Sequence, residues 1–139
     1  MFSIVGHDLT GVRVLDAFSG SGLLALEAAS RGADAIAVER DRRAIRAIRK
    51  NVAALDASVE VVVGELSKVA SGLDAVDGAL ADPPYADDPA VALRPLWGIV
   101  GQWIVLESDA QRDAPAPGEG WRLERSRRYG GTALHLFRR

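Results

Sequence analysis

Residues 12–22, VRVLDAFSGSG, pass from an apolar run into a turn that contains two glycines. The run Val12–Ala17 has the length and composition of a strand, and Leu23–Ser30, followed by Gly32, has those of a short helix. Glycines between a strand and a helix let the backbone approach a ligand that a β-carbon would exclude. The stretch therefore predicts the first β-α unit of an α/β fold, with a candidate binding turn at Gly20-Ser21-Gly22.

Apolar runs of strand length continue to alternate with helix-period segments along the chain. This alternation is typical of β-α units wound around a mainly parallel sheet. Further strands are predicted at Ala35–Glu39, at Val59–Val63, which we expect to be buried, at Val76–Ala81 and at Trp103–Glu107. Helices are predicted at Leu66–Ser71, at Ala90–Trp97, and after a cap at Asp41 with an apolar stripe of Ile45, Ile48, Val52 and Leu55.

The last segment differs in kind from the β-α units. Arg122–Tyr129 and Thr132–Phe137 flank Gly130-Gly131, which predicts two strands joined by a tight turn. We expect this hairpin to add antiparallel strands to the sheet. The predicted fold class is therefore α/β, a doubly wound and mostly parallel sheet with an antiparallel C-terminal hairpin, and residues 1–139 are expected to form a single domain.

The composition excludes several classes of protein. The chain has 139 residues, of which 48% are hydrophobic, enough to bury one core. It has no cysteine and only two histidines, His7 and His135, so neither a disulfide framework nor a metal centre is expected. Because the sequence lacks a secretory signal and any apolar run of about eighteen residues, we expect a cytoplasmic protein without a membrane span.

The charge is small but uneven. A net charge of −2 argues against gripping nucleic acid by bulk electrostatics, because such domains are usually basic. Basic residues nevertheless crowd the stretch Arg40–Lys50 and the C-terminal segment from Arg122 to Arg139. These clusters fit either a patch that faces phosphates or ordinary solvated surfaces.

Two carboxylates indicate which ligand the glycine turn holds. The glycines also fit the dinucleotide pattern G-x-G-x-x-A through Ala25, which keeps a nicotinamide enzyme open. Glu39 closes the second strand about 20 residues after Gly20, the separation at which an acid meets the ribose of an adenosine-containing cofactor. Asp16, beside the turn, would repel a pyrophosphate but suits a ligand with an ammonium and a sulfonium group. Together the carboxylates favour S-adenosylmethionine.

The most specific motif is Asp82-Pro83-Pro84-Tyr85, directly after the predicted strand Val76–Ala81. Two prolines cannot continue a central strand, so the motif must lie at its carboxyl end. A carboxylate and a proline carbonyl can accept both hydrogens of an exocyclic amine, while a tyrosine ring offers a stacking face for a base. In a doubly wound sheet the first and fourth strands are neighbours where the strand order reverses. We therefore expect this loop and the glycine turn to meet at one crevice.

These motifs, with Glu39-Arg40-Asp41 and the ending Tyr129-Gly130-Gly131-Thr132, make the chain resemble the bacterial 16S ribosomal RNA guanine-N2 methyltransferase family over nearly its whole length. The resemblance implies the seven-stranded, Rossmann-like class I methyltransferase fold. It also implies methyl transfer from S-adenosylmethionine to the N2 amine of a guanine in 16S ribosomal RNA, presented by the Asp82-Pro83-Pro84-Tyr85 loop. The expected cofactor-binding residues are Asp16, Phe18, Ser19, Gly20, Gly22, Glu39, Arg40, Glu65 and Leu66; for the last two, an ordinary capping or surface role is the alternative.

The resemblance also sets expectations about partners. The partner would be ribosomal RNA or the small ribosomal subunit, bound by a monomer. Members of the family usually carry a basic N-terminal β-hairpin before the equivalent of Phe2-Ser3-Ile4-Val5, and this sequence begins at about that point. We therefore expect a shortened form that folds but binds ribosomal RNA poorly.

Three alternatives stay open at the level of sequence. DNA adenine-N6 methyltransferases also carry an Asp-Pro-Pro-Tyr loop, but ordinary strands and helices fill the segment between Asp16 and Asp82, which leaves no room for a recognition insert. A nicotinamide oxidoreductase would bind NAD at the same turn. A non-catalytic nucleic-acid binding module would keep the fold but not depend on Asp82. The sequence names neither the modified nucleotide nor the oligomeric state.

Overall fold

A computed structural model describes residues 1–139 and contains five α-helices and seven strands. The helices are α1 (Phe2–Val5), α2 (Leu23–Ser30), α3 (Arg42–Ala54), α4 (Leu66–Val69), which a 3₁₀ turn at Ala70–Gly72 continues, and α5 (Pro89–Leu93). The strands are β1 (Arg13–Asp16), β2 (Asp34–Glu39), β3 (Val59–Val63), β4 (Val76–Ala81), β5 (Val100–Asp109), β6 (Arg122–Tyr129) and β7 (Thr132–Arg138).

The seven strands form one sheet in the order β3-β2-β1-β4-β5-β7-β6. The first five strands run parallel, whereas β7 pairs antiparallel with both β5 and β6. The strand order reverses between β1 and β4, which are direct neighbours. This topology confirms the predicted doubly wound sheet with an antiparallel C-terminal hairpin.

Apolar side chains cover both faces of the sheet. One buried cluster joins strand residues such as Leu15, Ile36 and Phe137 to α4 and α5 through Leu66 and Leu93. The other joins Val14, Leu80 and Trp103, among others, to α1 and α2 through Phe2, Ile4 and Ala28. Helices therefore cover both faces, as the parallel strands of the sheet require.

The start of α3 follows directly from its sequence. The Asp41 carboxylate accepts a hydrogen bond of 2.9 Å from the Ala44 backbone N–H, which satisfies one of the free donors of the first turn. Ile45 and Ile48 are buried on the inner face, while the basic residues of the helix are exposed. The predicted amphipathic helix and its cap are both confirmed.

One close contact fixes the alignment of β4 and β5. Gly78 and Trp103 are directly opposite each other, and a β-carbon at Gly78 would lie 2.1 Å from two atoms of the indole ring. Such a distance is far below any van der Waals contact. The indole therefore occupies space that only a glycine leaves free.

Three predicted elements differ in the structure. β3 is the edge strand, so its side chains are only partly buried and Val63 is 53% exposed, whereas the sequence predicts a buried strand. Leu55 caps α3 in solvent instead of completing its apolar stripe. α5 ends at Leu93, short of the predicted Trp97; Arg94 still has helical backbone angles, but Pro95 supplies no N–H to continue the hydrogen bonds of the helix.

Two further findings complete the description. The short helix α1 had no predicted counterpart, and it buries Phe2 and Ile4 against the sheet. None of the helices combines the length and the apolar character that a membrane crossing requires.

Candidate functional site

The glycine turn after β1 is built around Asp16. Its carboxylate is 1% exposed and accepts hydrogen bonds from the Ser19 hydroxyl at 2.8 Å and the Ala25 backbone N–H at 3.1 Å, both at Oδ2. The other oxygen, Oδ1, is buried without a partner. Burial in this position raises the pKa of Asp16 from 3.8 to about 6. The turn also uses left-handed backbone at Gly20 (φ 55°) and Gly22 (φ 85°), which glycine adopts without steric cost.

Glu39, the last residue of β2, ties that strand to the turn. Its Oε2 accepts a hydrogen bond of 2.7 Å from the Gly20 backbone N–H. Its Oε1 accepts from the backbone N–H groups of Arg40 and Asp41, each at 3.0 Å. Hydrogen bonds to a charged acceptor are among the stronger ones in proteins, so the ends of β1 and β2 are fixed relative to each other.

The segment after β3 provides a third wall. Glu65 pairs with Arg40 at 3.7 Å and with Lys68 at 3.8 Å, both at the surface. Leu66, the first residue of α4, is 4% exposed. The backbone N–H of Gly64 donates to the Glu39 carbonyl at 2.9 Å, which links this segment to the end of β2.

The proline loop, Asp82-Pro83-Pro84-Tyr85, leaves the carboxyl end of β4. Pro83 is buried, while Asp82 and Pro84 are in contact with solvent. The surrounding loop removes part of the hydration of Asp82 and thereby raises the pKa of its carboxyl group. Tyr85 is 46% exposed, and its hydroxyl lies 3.1 Å from the Thr132 hydroxyl at the start of β7.

A cavity of about 1050 Å³ lies between these segments. It is large enough for a nucleoside-sized ligand and part of a second molecule. Its walls include nine of the thirteen residues predicted from the sequence: Phe18, Ser19, Gly20, Glu39, Arg40, Glu65, Leu66, Asp82 and Pro84.

The other four predicted residues lie outside this wall. Asp16 is behind the turn, where it holds Ser19 rather than facing the cavity. Gly22 immediately precedes α2 and packs close to the Ile48 side chain. Pro83 and Tyr85 border a small neighbouring depression.

Sequence reasoning missed part of the wall. Glu107 of β5 faces the cavity, and so do Val91, Ala92 and Pro95 from and after α5. Glu107 could have been predicted, because ligands bind at the carboxyl ends of neighbouring parallel strands and β5 lies next to β4. The α5 residues carried no such signal.

The residues present fit S-adenosylmethionine. Six carboxylate side chains line the cavity, against one cationic side chain, that of Arg40. Such a lining favours a ligand with a sulfonium and an ammonium group and disfavours a pyrophosphate. Gly20 has no heavy atom within 4 Å of the place where a β-carbon would stand, so the turn leaves open space for a ligand.

No histidine lines this cavity. His135 is 1% exposed and lies between two hydroxyls, with Ser126 Oγ 2.8 Å from Nδ1 and Ser108 Oγ 3.2 Å from Nε2. The structure contains no group of three or more histidine, cysteine, aspartate or glutamate side chains arranged to hold a metal ion.

Comparison with known proteins identifies the relatives of this chain. The sequence model of the family described as "Conserved hypothetical protein 95" matches residues 1–138. The "Ribosomal RNA small subunit methyltransferase D" of Escherichia coli (strain K12) is 29% identical over 147 residues, which cover 100% of this chain and 74% of that protein. The "Putative rRNA methyltransferase YlbH" of Bacillus subtilis is 29% identical over 151 residues, covering 100% and 82%.

Solved structures agree with the sequence comparison. The structure of "Putative methyltransferase yhhF" from Escherichia coli superimposes with a TM-score of 0.87 and 29% identity, covering 99% of this chain and 81% of that one. The expected class I methyltransferase fold and the expected methyltransferase enzyme are thereby confirmed. The chain belongs to the family described as conserved hypothetical protein 95, whose relatives include methyltransferases named for ribosomal RNA.

Proposed function

We propose that this chain transfers a methyl group from S-adenosylmethionine to the exocyclic N2 amine of a guanine in 16S ribosomal RNA. The observation that carries the proposal is the shared cavity, in which the glycine turn and Asp82 face the same space. The names of the relatives from Escherichia coli and Bacillus subtilis support a ribosomal RNA substrate. Residues 1–139 would act as one catalytic domain and as a monomer.

The cofactor would lie along the ends of β1, β2 and β3. When bound, S-adenosylmethionine supplies a methyl group activated by its positively charged sulfur. Phe18, Ser19 and Gly20 would hold it at the turn, Glu39 and Arg40 beside its ribose, and Glu65 and Leu66 at its adenine. The acidic lining of the cavity supports this placement, because it stabilises positive charge on the ligand.

The proline loop would present the amine. Asp82 and a proline carbonyl would accept the two hydrogens of the amine, so that the nitrogen lone pair points into the cavity. As the amine gains a methyl group it loses one proton, and the Asp82 carboxylate would take it. The raised pKa of Asp82 would make its carboxylate a better proton acceptor than a fully hydrated aspartate.

The outer surface supports an RNA partner. Five cationic side chains of α3 are exposed and make no ion pair within the chain: Arg42, Arg43, Arg46, Arg49 and Lys50. They would face phosphates without first breaking an internal contact. Tyr85 would stack on the target base or on a neighbouring base, as its exposed ring allows.

A labelling experiment tests the proposal. The chain is incubated with S-adenosylmethionine labelled at the methyl group and with small ribosomal subunits assembled from unmodified 16S ribosomal RNA, with naked 16S ribosomal RNA, or with DNA. We expect label in 16S ribosomal RNA, recovered after digestion as N2-methylguanosine. The variant Asp82→Asn serves as control and should still bind the cofactor in calorimetry. Label in DNA, or no label in any substrate, would contradict the proposal.

A further inference from the structure

Glu107 is the second acidic side chain at the place where the base would enter. In the parallel pair of β4 and β5, Ala81 lies opposite Leu106, so Asp82 and Glu107 are the next residues on the two strands. Both side chains face the cavity. Glu107 also borders the neighbouring depression that Pro83 and Tyr85 line. It therefore lies where the proline loop and the cavity meet.

The Glu107 carboxylate has no hydrogen-bonding or ion-pair partner within the chain, although the positive charge of the N-terminus acts on it from beyond ion-pair distance and lowers its pKa. It accepts no hydrogen bond and makes no ion pair, in contrast to Glu39, whose two oxygens accept three backbone N–H groups. Glu107 is half-buried, and both the loss of hydration and the negative charge of Asp82 raise the pKa of its carboxyl group. Two neighbouring carboxylates with few protein partners are stabilised by a ligand that brings several hydrogen-bond donors together.

The bases differ in what they offer beside their amine. Guanine carries a donor, N1–H, next to its N2 amine, so that three hydrogens point along one edge. Adenine and cytosine carry an acceptor nitrogen next to their amine, and this lone pair would face a carboxylate unfavourably. A pair of carboxylates, one for the amine and one for the neighbouring ring nitrogen, therefore matches guanine alone.

We propose that Glu107 determines specificity by accepting a hydrogen bond from the N1–H of guanine, while Asp82 holds the N2 amine of the same base. The inference rests on the proposed function and deepens it, because it names the group that selects the base. Glu107 is thus a specificity-determining residue rather than a structural one. A side chain that held the fold in place would accept a hydrogen bond or form an ion pair within the chain, and Glu107 does neither.

A change of one base tests the assignment. Once labelling has located the target nucleotide, small subunits are reconstituted with 16S ribosomal RNA that carries either guanosine or 2-aminopurine riboside at that position. 2-Aminopurine keeps the 2-amino group but has an acceptor in place of N1–H. We expect the unaltered chain to prefer guanine by about tenfold or more in kcat/KM, as is usual for a well-placed base contact.

The variant Glu107→Gln gives the decisive comparison. Its side-chain amide can donate to the acceptor nitrogen of 2-aminopurine, so the preference should fall to about threefold or less, or invert. A merely structural role would lower both rates together and leave their ratio unchanged. Glu119→Gln, which removes the same charge from an exposed loop, should keep the preference of the unaltered chain. Calorimetry measures the binding of S-adenosylmethionine to both variants; because Glu107 is one of the six carboxylates of the cavity, its variant can bind the cofactor more weakly, but this lowers both rates together and leaves their ratio unchanged.

The outcomes separate the two proposals. The inference is supported if the unaltered chain prefers guanine over 2-aminopurine and Glu107→Gln does not. An equal preference in both overturns the role of Glu107 and leaves the proposed function intact. Methylation of adenine or cytosine, or no methylation of RNA at all, overturns the proposed function, and the role of Glu107 falls with it.

Discussion

The glycine turn at residues 16–22 and the proline loop at residues 82–85 border the same cavity but are held in different ways. The turn is fixed by charged acceptors: Asp16 binds Ser19 and Ala25, and Glu39 binds the backbone of Gly20. The proline loop has one side-chain hydrogen bond, from Tyr85 to Thr132, and leaves Asp82 without a partner in the chain. Its shape comes mainly from the two prolines, which restrict the backbone.

Under the proposed function, the difference fits what each segment would recognise. A cofactor of constant shape is bound well by a preorganised turn, whose cost of ordering has been met during folding. A base on a large RNA would need acceptors that have no partner in the chain. The carboxylates of the turn make internal hydrogen bonds, whereas the carboxylate of the loop would be free for the substrate. The predictions below test this contrast, from the largest expected effect to the smallest.

Loss of the Asp82 carboxylate, which has no partner in the chain, should have the largest effect on activity. We expect Asp82→Asn to lower kcat for methyl transfer by about 100-fold or more, because the neutral amide can accept a hydrogen bond from the amine but cannot take the proton that the amine loses. The dissociation constant for S-adenosylmethionine should change by less than about twofold. Methyl transfer into small subunits and calorimetry provide the two measurements. Equal losses in cofactor binding and in turnover would show that the proline loop also binds the cofactor, and would contradict separate roles for the two segments.

Asp16 should make the stability of the turn depend on pH. The pKa of Asp16 is about 6 in the folded chain, against an unperturbed value of 3.8. Between these two pH values the carboxyl group is therefore mostly protonated in the folded state and mostly ionised in the unfolded state. Stability should therefore fall as pH rises from about 4 to about 6 and stay level above, by about 3 kcal/mol for this group alone.

The variant Asp16→Asn isolates that contribution. The free energy of unfolding is measured in urea, without cofactor, from pH 4 to pH 7. The variant should become more stable relative to the unaltered chain as pH rises, because only the unaltered chain loses the contribution of Asp16. All other carboxyl groups are present in both chains, so their effects cancel in the difference. Asp56→Asn, an exposed position with left-handed backbone, serves as control and should show a constant difference. A constant difference for Asp16→Asn as well would mean that burial does not raise its pKa.

Loss of the Glu39 carboxylate should weaken cofactor binding more than turnover. Glu39→Ala frees the backbone N–H groups of Gly20, Arg40 and Asp41, and we expect the dissociation constant for S-adenosylmethionine to rise by about tenfold or more. Calorimetry measures it directly. Glu60→Ala, an exposed glutamate on the edge strand β3, should bind the cofactor as the unaltered chain does. Unchanged binding in Glu39→Ala would remove the turn from the cofactor site.

The Tyr85 hydroxyl should matter least. Tyr85→Phe removes only the hydrogen bond to Thr132 and keeps the ring, so kcat/KM should change by about threefold at most. Tyr85→Ala also removes the stacking surface and should lose more, since stacking on an aromatic ring contributes about 1–3 kcal/mol per base. Steady-state kinetics on small subunits compare the two. If Phe and Ala variants lose the same activity, the hydroxyl contact holds the loop and the ring does not touch the base.

Much of this architecture could be read from local sequence. The alternation of apolar runs predicted the five parallel strands, Gly130-Gly131 predicted the hairpin, and the Asp41 cap placed the start of α3. The prolines after Ala81 placed the end of β4 at the residue where the structure has it. Each of these signals acts within a few residues, which is why a single sequence suffices.

What could not be predicted depends on contacts between distant segments. An apolar run does not reveal whether its strand lies at the centre or at the edge of a sheet, and β3 lies at the edge. The sequence places Asp16 beside the turn, but only the coordinates show that Ser19 and Ala25 occupy one of its oxygens. Likewise, the sequence predicts Glu107 at the end of a strand beside β4, but it does not reveal that its carboxylate has no hydrogen-bonding partner in the chain.

The contact between Gly78 and Trp103 has a consequence for the chemistry several residues away. If β4 slipped by one residue along β5, Asp77 or Ala79 would bring a side chain into the space that the indole fills. The contact therefore prevents slippage and keeps the acidic residues that follow both strands abreast of each other. Gly78 does not line the cavity, yet a methyl group added there would collide with the indole and shift β4 against β5, and with them the carboxylates of Asp82 and Glu107. A buried glycine within the sheet would therefore affect methyl transfer without contacting either ligand.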